Sequence, residues 1–107
     1  MSDEVGAVFA ALADPTRRWI LETLTQEGRT TVPALTAALP ISRQAVAKHL
    51  VTLGDAGLVE RAPGHGREVA YTLRPGALAP ASHWMQDAEA AWDGRLARLK
   101  QAVEGRR

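Results

Sequence analysis

The stretch Ser42-Arg-Gln-Ala-Val-Ala-Lys-His-Leu-Val-Thr-Leu-Gly-Asp-Ala-Gly-Leu-Val59 decides how the rest of this chain reads. It is one helix with two unlike faces, then a glycine stop, then the start of a strand. The Ser42 hydroxyl can cap the helix, and Ile41 ahead of it can staple onto Val46. At 100° per residue Val46, Leu50 and Leu53 share one side. Gln44, Ala47, Lys48 and Val51 share the other, with Arg43 at the helix start. Arg and Lys donate to guanine, Gln pairs with adenine, and a small Ala lets the backbone approach base edges. That is the chemistry of a helix that reads a major groove. The solvated face of an ordinary amphipathic helix carries the same residue types, so the flanking sequence has to separate the two readings.

Working upstream, Val5, Val8, Phe9 and Leu12 follow an i, i+3, i+4, i+7 spacing, which predicts a first helix over about residues 3–13. Asp14-Pro15 then supplies a cap followed by proline at the first helical position. The second helix runs to about Gln26 with Ile20, Leu21 and Leu24 inward, and Glu27-Gly28-Arg29 stops it. A short third helix, about residues 32–39, presents Val32, Leu35 and Leu39 before Pro40 closes it. Only Ile41 separates that proline from the Ser42 cap. A short helix, a tight turn and a second helix with a polar outer stripe make a helix-turn-helix.

Downstream of Gly57 the apolar period changes from 3.6 to 2. Leu58–Arg61 and Glu68–Leu73 read as two strands around the glycine-rich turn Ala62-Pro-Gly-His-Gly-Arg67. A hairpin placed directly after a reading helix is a wing, whose turn offers His65 and Arg67 to a minor groove or a phosphate. Arg61 and Arg74 are candidates for the flanking backbone, or exposed strand charges. Pro75, Gly76 and Pro80 separate the wing from a last helix, about residues 81–104, with Trp84, Ala88, Trp92, Leu96, Leu99 and Val103 in one apolar stripe. Gly105-Arg106-Arg107 is expected to fray.

The expected fold is therefore mostly α with a small β-hairpin: a winged helix-turn-helix of five helices and a two-stranded wing, in the order α-α-α-α-β-β-α. At 107 residues it forms one domain, 1–107, with residues 32–57 as the helix-turn-helix and 58–74 as the wing. Cysteine is absent, which excludes disulfides and thiolate metal sites. No apolar run is long enough for a membrane span and no leader is visible, so a cytoplasmic protein without a membrane partner is expected. Net charge is only +1, but its distribution is uneven. Residues 1–14 carry −3 and residues 15–74 carry +3, so the positive excess lies where the reading helix lies. That bias holds DNA weakly in one copy, and two copies double the contacts.

Trp84 and Trp92 lie two turns apart on one face. Each can bury about 150–250 Å², so hiding both needs a partner surface. A second copy is the preferred reading, with a small-molecule pocket lined by the same rings as its rival. No nucleophile–base pair, inward carboxylate pair, phosphate loop or metal cluster is legible, and catalysis is not expected.

With helices, short turn, glycine stop and wing in this order, the chain resembles the ArsR family of bacterial winged-helix repressors. The resemblance rests on Leu12-Ala-Asp-Pro-Thr-Arg-Arg18 with Ile20-Leu21, on Ser42–Leu50, on Asp55-Ala-Gly-Leu-Val59, and on Gly66-Arg67 with Tyr71-Thr-Leu73. It covers residues 5–74 closely and the last helix more loosely. It implies a homodimer that binds palindromic operator DNA and represses transcription. It also implies that the first and last helices, 1–13 and 81–104, build the dimer interface, through Val5, Val8, Phe9, Leu12, Trp84, Ala88, Trp92, Leu96 and Leu99. Many relatives sense metal or arsenite through cysteines on the helix that here reads Val32-Pro-Ala-Leu-Thr-Ala-Ala-Leu39, which holds no ligand. The chain looks like the branch without metal sites. No cofactor is expected, and the resemblance leaves any small-molecule effector unspecified.

The expected DNA-contacting set is Arg43, Gln44, Ala47 and Lys48 on the reading helix, His65 and Arg67 on the wing, with Thr31 and Arg17 against phosphate. Each has a blander reading. Thr31 also suits a helix cap, and Arg17 or Arg18 can be solvated, with an Arg18–Glu22 pair favoured for the latter. His49, nearer the inner side, is expected to pack or to bond to neighbouring backbone. His83 with Asp87, at i and i+4, could reach one ion, but a capping or hydrogen-bonded histidine is the favoured reading. Set against DNA binding is a winged-helix module for protein–protein contact, in which the polar stripe meets an acidic partner.

Overall fold

The computed structural model describes residues 1–105, so the expected fraying at Arg106 and Arg107 lies outside the described residues. The helices are α1 (Asp3–Leu12), α2 (Pro15–Glu27), α3 (Val32–Ala38), α4 (Arg43–Asp55) and α5 (Ala79–Glu104), and the strands are β1 (Thr30–Thr31), β2 (Val59–Pro63) and β3 (Val69–Leu73). Four of the five helices begin on a side-chain cap. Ser2, Asp14, Thr31 and Ser42 each accept a hydrogen bond from the backbone N–H three residues on. These caps satisfy N–H groups that a helix start leaves orphaned. Gly28 closes α2 with φ +83°, a backbone conformation that a side chain would strain.

The winged helix-turn-helix is as expected, with one addition. Thr30 and Thr31 pair antiparallel with Tyr71 and Ala70, so the hairpin becomes a three-stranded sheet of order β1-β3-β2. The order of elements is α-α-β-α-α-β-β-α. Strand β2 pairs with β3 from Val59–Leu73 at the base of the wing to Pro63–Val69 near its tip. Beyond that pair the Gly64 N–H donates to the Glu68 carbonyl at 3.1 Å. A Cβ on Gly64 would stand 2.7 Å from that same oxygen, so this turn requires glycine.

One core joins α1, α2, α3, α4 and the sheet. Val8, Ile20, Leu24, Leu35, Val46, Leu53 and Leu58 are its largest closed side chains. The apolar stripe of α1 does not divide as the resemblance implied. Val5 and Val8 are 6% and 1% exposed and belong to the protomer's own core, so they are out of a second copy's reach. Phe9 and Leu12 are half-buried and pack on that core. Phe9 meets Trp84 edge-to-face with ring centroids 5.6 Å apart, which seats the start of α5 on α1.

The rest of α5 projects. The helix begins two residues earlier than the periodicity predicts and runs 26 residues, ~39 Å at the α-helical rise. The protomer measures 73 × 26 × 24 Å with a radius of gyration of 19.3 Å, against ~13 Å for a compact chain of this length. Trp92, Leu96, Leu99 and Val103 are 45–60% exposed along the projection. No helix among the described residues is long and apolar enough to cross a membrane.

Candidate nucleic-acid interface

The reading helix α4 is held by its inner face and offers its outer one. Val46, Leu50 and Leu53 are at most 2% exposed, while Arg43, Gln44, Ala47, Lys48 and Val51 are exposed. The division follows the 100° spacing of the sequence. The Ser42 hydroxyl accepts from the Ala45 N–H at 3.1 Å, which sets the first turn so that Arg43 and Gln44 leave its solvent side. These are long, flexible donors standing at the end of the helix that enters a groove in such motifs. Arg61 on β2 lines one trough with Ala47, Val51 and Tyr71, so a wing arginine borders the reading face. His65 and Arg67 are exposed at the wing tip.

Two expected phosphate contacts look different in the structure. Arg17 turns away from solvent. Its Nε donates to the Ala11 carbonyl at 2.8 Å and a terminal nitrogen to the Ala10 carbonyl at 3.2 Å. Its other terminal nitrogen lies 3.4 Å from His49 Nδ1. The guanidinium bonds the carbonyls of Ala10 and Ala11 at the end of α1, a helix end that offers acceptors, so Arg17 has an intramolecular role beside any contact with phosphate. Thr31 caps α3, its hydroxyl oxygen accepting from the Ala34 N–H at 3.2 Å. The hydroxyl hydrogen can still donate outward.

Arg18 donates to the Leu12 carbonyl at 2.7 Å in place of the expected pairing with Glu22. The same unsatisfied helix end attracts both arginines. His49 is structural, as its position on α4 suggested, but its partners are side chains. It sits 4.0 Å from Asp14 Oδ2 as well as beside Arg17. Arginine only donates, so this contact is a hydrogen bond when His49 Nδ1 is the unprotonated nitrogen. Nothing in the residue order announces this cluster, because Asp14 and Arg17 stand at the start of α2 and His49 on α4, with Arg17 and His49 32 residues apart.

Asp14 has its carboxyl pKa lowered, first by the hydrogen bond from the Arg17 N–H and further by the charges of Arg17 and His49, against an opposing desolvation. A carboxyl whose folded pKa lies below its unfolded one stabilises the fold above the unfolded value, and that contribution disappears as pH falls through the folded value. The gap in urea midpoint between the parent and Asp14→Ala should accordingly be full at neutral pH and shrink below about pH 4. A gap that stays constant on acidification would show that the charge of Asp14 contributes nothing.

Among the described residues no three histidine, cysteine, aspartate or glutamate side chains converge on a common point. His83 and Asp87 are exposed on the first turns of α5, and no side chain caps that helix, so His83 does not serve as the expected cap.

Comparison with known proteins agrees with this geometry. A helix-turn-helix domain model matches residues 12–62. Over 65 residues the chain is 46% identical to YuzN, an uncharacterized HTH-type transcriptional regulator of Bacillus subtilis, across 55% of this chain and 71% of that protein. It is 46% identical over 71 residues to the HTH-type transcriptional regulator Rv2034 of Mycobacterium tuberculosis, covering 66% of this chain and 64% of that protein. An ArsR-like transcriptional regulator from Rhodococcus sp. RHA1 superposes with a TM-score of 0.80 at 42% identity, over 92% of this chain and 91% of the other. With the capped reading helix, the wing and these relatives in agreement, the chain belongs to the ArsR family of DNA-binding transcriptional regulators.

Proposed function

We propose that the protein acts as a homodimeric repressor, each subunit placing residues 43–48 of α4 in the major groove of a palindromic operator. The observation that carries this reading is the pairing of an outward Arg43-Gln44-Ala47-Lys48 stripe with a fully buried opposite face. A helix seated so firmly presents its donors in one fixed orientation, as direct readout requires. The projecting apolar face of α5, with Trp84, Ala88, Trp92, Leu96 and Leu99, supplies the contact with the second copy. Two-fold symmetry then sets the reading helices about 34 Å apart, one turn of DNA. Arg67 and His65 on the wing, with the Thr31 hydroxyl, add contacts to the sugar–phosphate backbone. The site of action is the compartment that holds the DNA, the cytoplasm of a bacterium.

The test is fluorescence anisotropy on the DNA upstream of the protein's own gene beside random DNA, across a salt series. Tight, salt-sensitive binding to the upstream sequence and weak binding to random DNA is the expected result. Equal affinities at every salt would favour the protein–protein module instead. Within that assay Arg43→Ala and Gln44→Ala should each weaken cognate binding by about 1–3 kcal/mol and relax the preferred base at one position per half-site. Arg67→Ala should weaken all sequences alike and reduce the salt slope by about one per wing. Losses for the helix variants that are the same on cognate and random DNA would refute their role in reading bases.

A further inference from the structure

Away from the reading face, a cavity of about 370 Å³ opens between α2 and the segment that leads from β3 into α5. Leu21 and Thr25 of α2 form one wall, Leu58 and Leu73 the floor, and Leu78 the outer lip. Its volume is at the lower end of the range of small-molecule sites, about 300–1,000 Å³, and its walls are apolar as such sites are. One charged residue lines it, Arg74, whose guanidinium lies beside Gly57 at the border with a smaller neighbouring hollow that Glu4 also lines. Among the described residues the Arg74 guanidinium has neither an ion-pair nor a hydrogen-bond partner. Arg74 also stands away from the wing tip. Its backbone N–H pairs with Leu58 at the base of the wing, at the opposite end of the hairpin from Gly64–Glu68, whereas Arg61 borders the reading face.

We propose that this cavity binds a small apolar molecule carrying a single carboxylate, an aromatic or medium-chain acid, with Arg74 pairing its anionic end. The fork of a guanidinium matches a carboxylate bidentately. A dianionic phosphate ester would leave one charge without a partner here, since no second cation lines the cavity. The walls also come from two elements, α2 on one side and the entry to α5 on the other. Leu21 and Thr25 move with the core that seats α4, while Leu78 and Ala79 begin α5. The shape of the cavity therefore depends on the angle between reading core and projecting helix. A ligand that fits one angle better shifts the population toward it, so occupancy alters DNA affinity. This second statement rests on the dimeric DNA-binding reading above; the binding site itself does not.

The experiment is an NMR titration of the full chain, without DNA, using 2-naphthoate and its neutral counterpart 2-naphthamide. Saturable amide shifts centred on Leu58, Ala77 and Leu78 are expected for both, with the acid binding more tightly. Arg74→Gln should weaken the acid about tenfold or more and leave the amide unchanged. Thr25→Trp, which fills the cavity from its exposed rim, should abolish binding of both while the amide spectrum remains folded. Absence of saturable shifts at these positions, or an equal loss of acid and amide in Arg74→Gln, overturns the site. The anisotropy assay repeated with 2-naphthoate should move the operator midpoint in the parent and not in Thr25→Trp. Binding with an unmoved midpoint overturns the coupling. A parent that binds no DNA at all marks failure of the regulator reading, and the titration still decides the site.

Discussion

Trp92→Glu combined with Leu99→Glu is expected to convert the protein to a monomer at concentrations where the parent is dimeric. Both side chains stand on the projecting part of α5, at 57% and 60% exposure, and neither contributes to the buried core of the protomer. The substitutions should therefore leave the melting curve of the core near its parent position while placing two carboxylates in each half of an apolar contact. A charge buried without a partner costs several kcal/mol, so the dimer dissociation constant should rise at least about a hundredfold. Analytical ultracentrifugation reads the assembly directly. In the DNA assay the same variant should lose most operator affinity, with a salt slope roughly halved because one subunit meets half the phosphates. An unchanged sedimentation profile would place the dimer contact elsewhere and remove α5 from it.

Leu53→Ala is the second large effect. Leu53 is completely closed to solvent at the end of α4, in the cluster that includes Ile20, Leu24 and Val46. Truncating a buried leucine costs about 2–5 kcal/mol, the amount depending on how far the cavity collapses. Against a total stability of about 5–15 kcal/mol for a domain, that is a large fraction. The midpoint of urea unfolding should drop accordingly, and DNA binding should fail at a temperature well below that of the parent. Val51→Ala, two residues earlier on the same helix and 61% exposed, provides the contrast and should leave stability within about 0.5 kcal/mol. Comparable losses for both would mean that the inner face of α4 does not anchor the helix.

Helix starts were legible in the sequence because their causes are local. Asp14 before Pro15 and Ser42 before Arg43 each place an acceptor three residues from the N–H it caps, and no tertiary information is needed to see it. The same holds for the two faces of α4. What periodicity does not state is which body a face will meet. Val5, Val8, Phe9 and Leu12 form one stripe at helical spacing, yet the first two are enclosed within the protomer and the others are half-open. Strand β1 is not legible in the sequence because two threonines before a helix look like a cap and its approach, and Thr31 is indeed a cap as well as a strand residue. The inward turn of Arg17 depends on the carbonyls of Ala10 and Ala11 being presented across the α1–α2 turn. That geometry exists only once the two helices are packed. The cavity beside Arg74 belongs to the same class: its walls come from α2, the sheet and the approach to α5, and no local pattern joins them.

The short strand at Thr30–Thr31 has an evolutionary consequence. By pairing with Ala70 and Tyr71 it fastens the tip-ward half of β3 to the entrance of the helix-turn-helix, and the Arg29 guanidinium reaches the Pro63 carbonyl at 2.6 Å. Everything from Gly64 to Glu68 lies beyond those attachments. Apart from Gly64, where a side chain would strike the backbone, and Gly66, whose φ of +61° a side chain would strain, mutations in this apex need not disturb the exposed face of α4. If the proposed roles of the wing and of α4 hold, a lineage retunes how strongly the protein grips any DNA without altering which sequence it prefers, and the two properties drift at different rates.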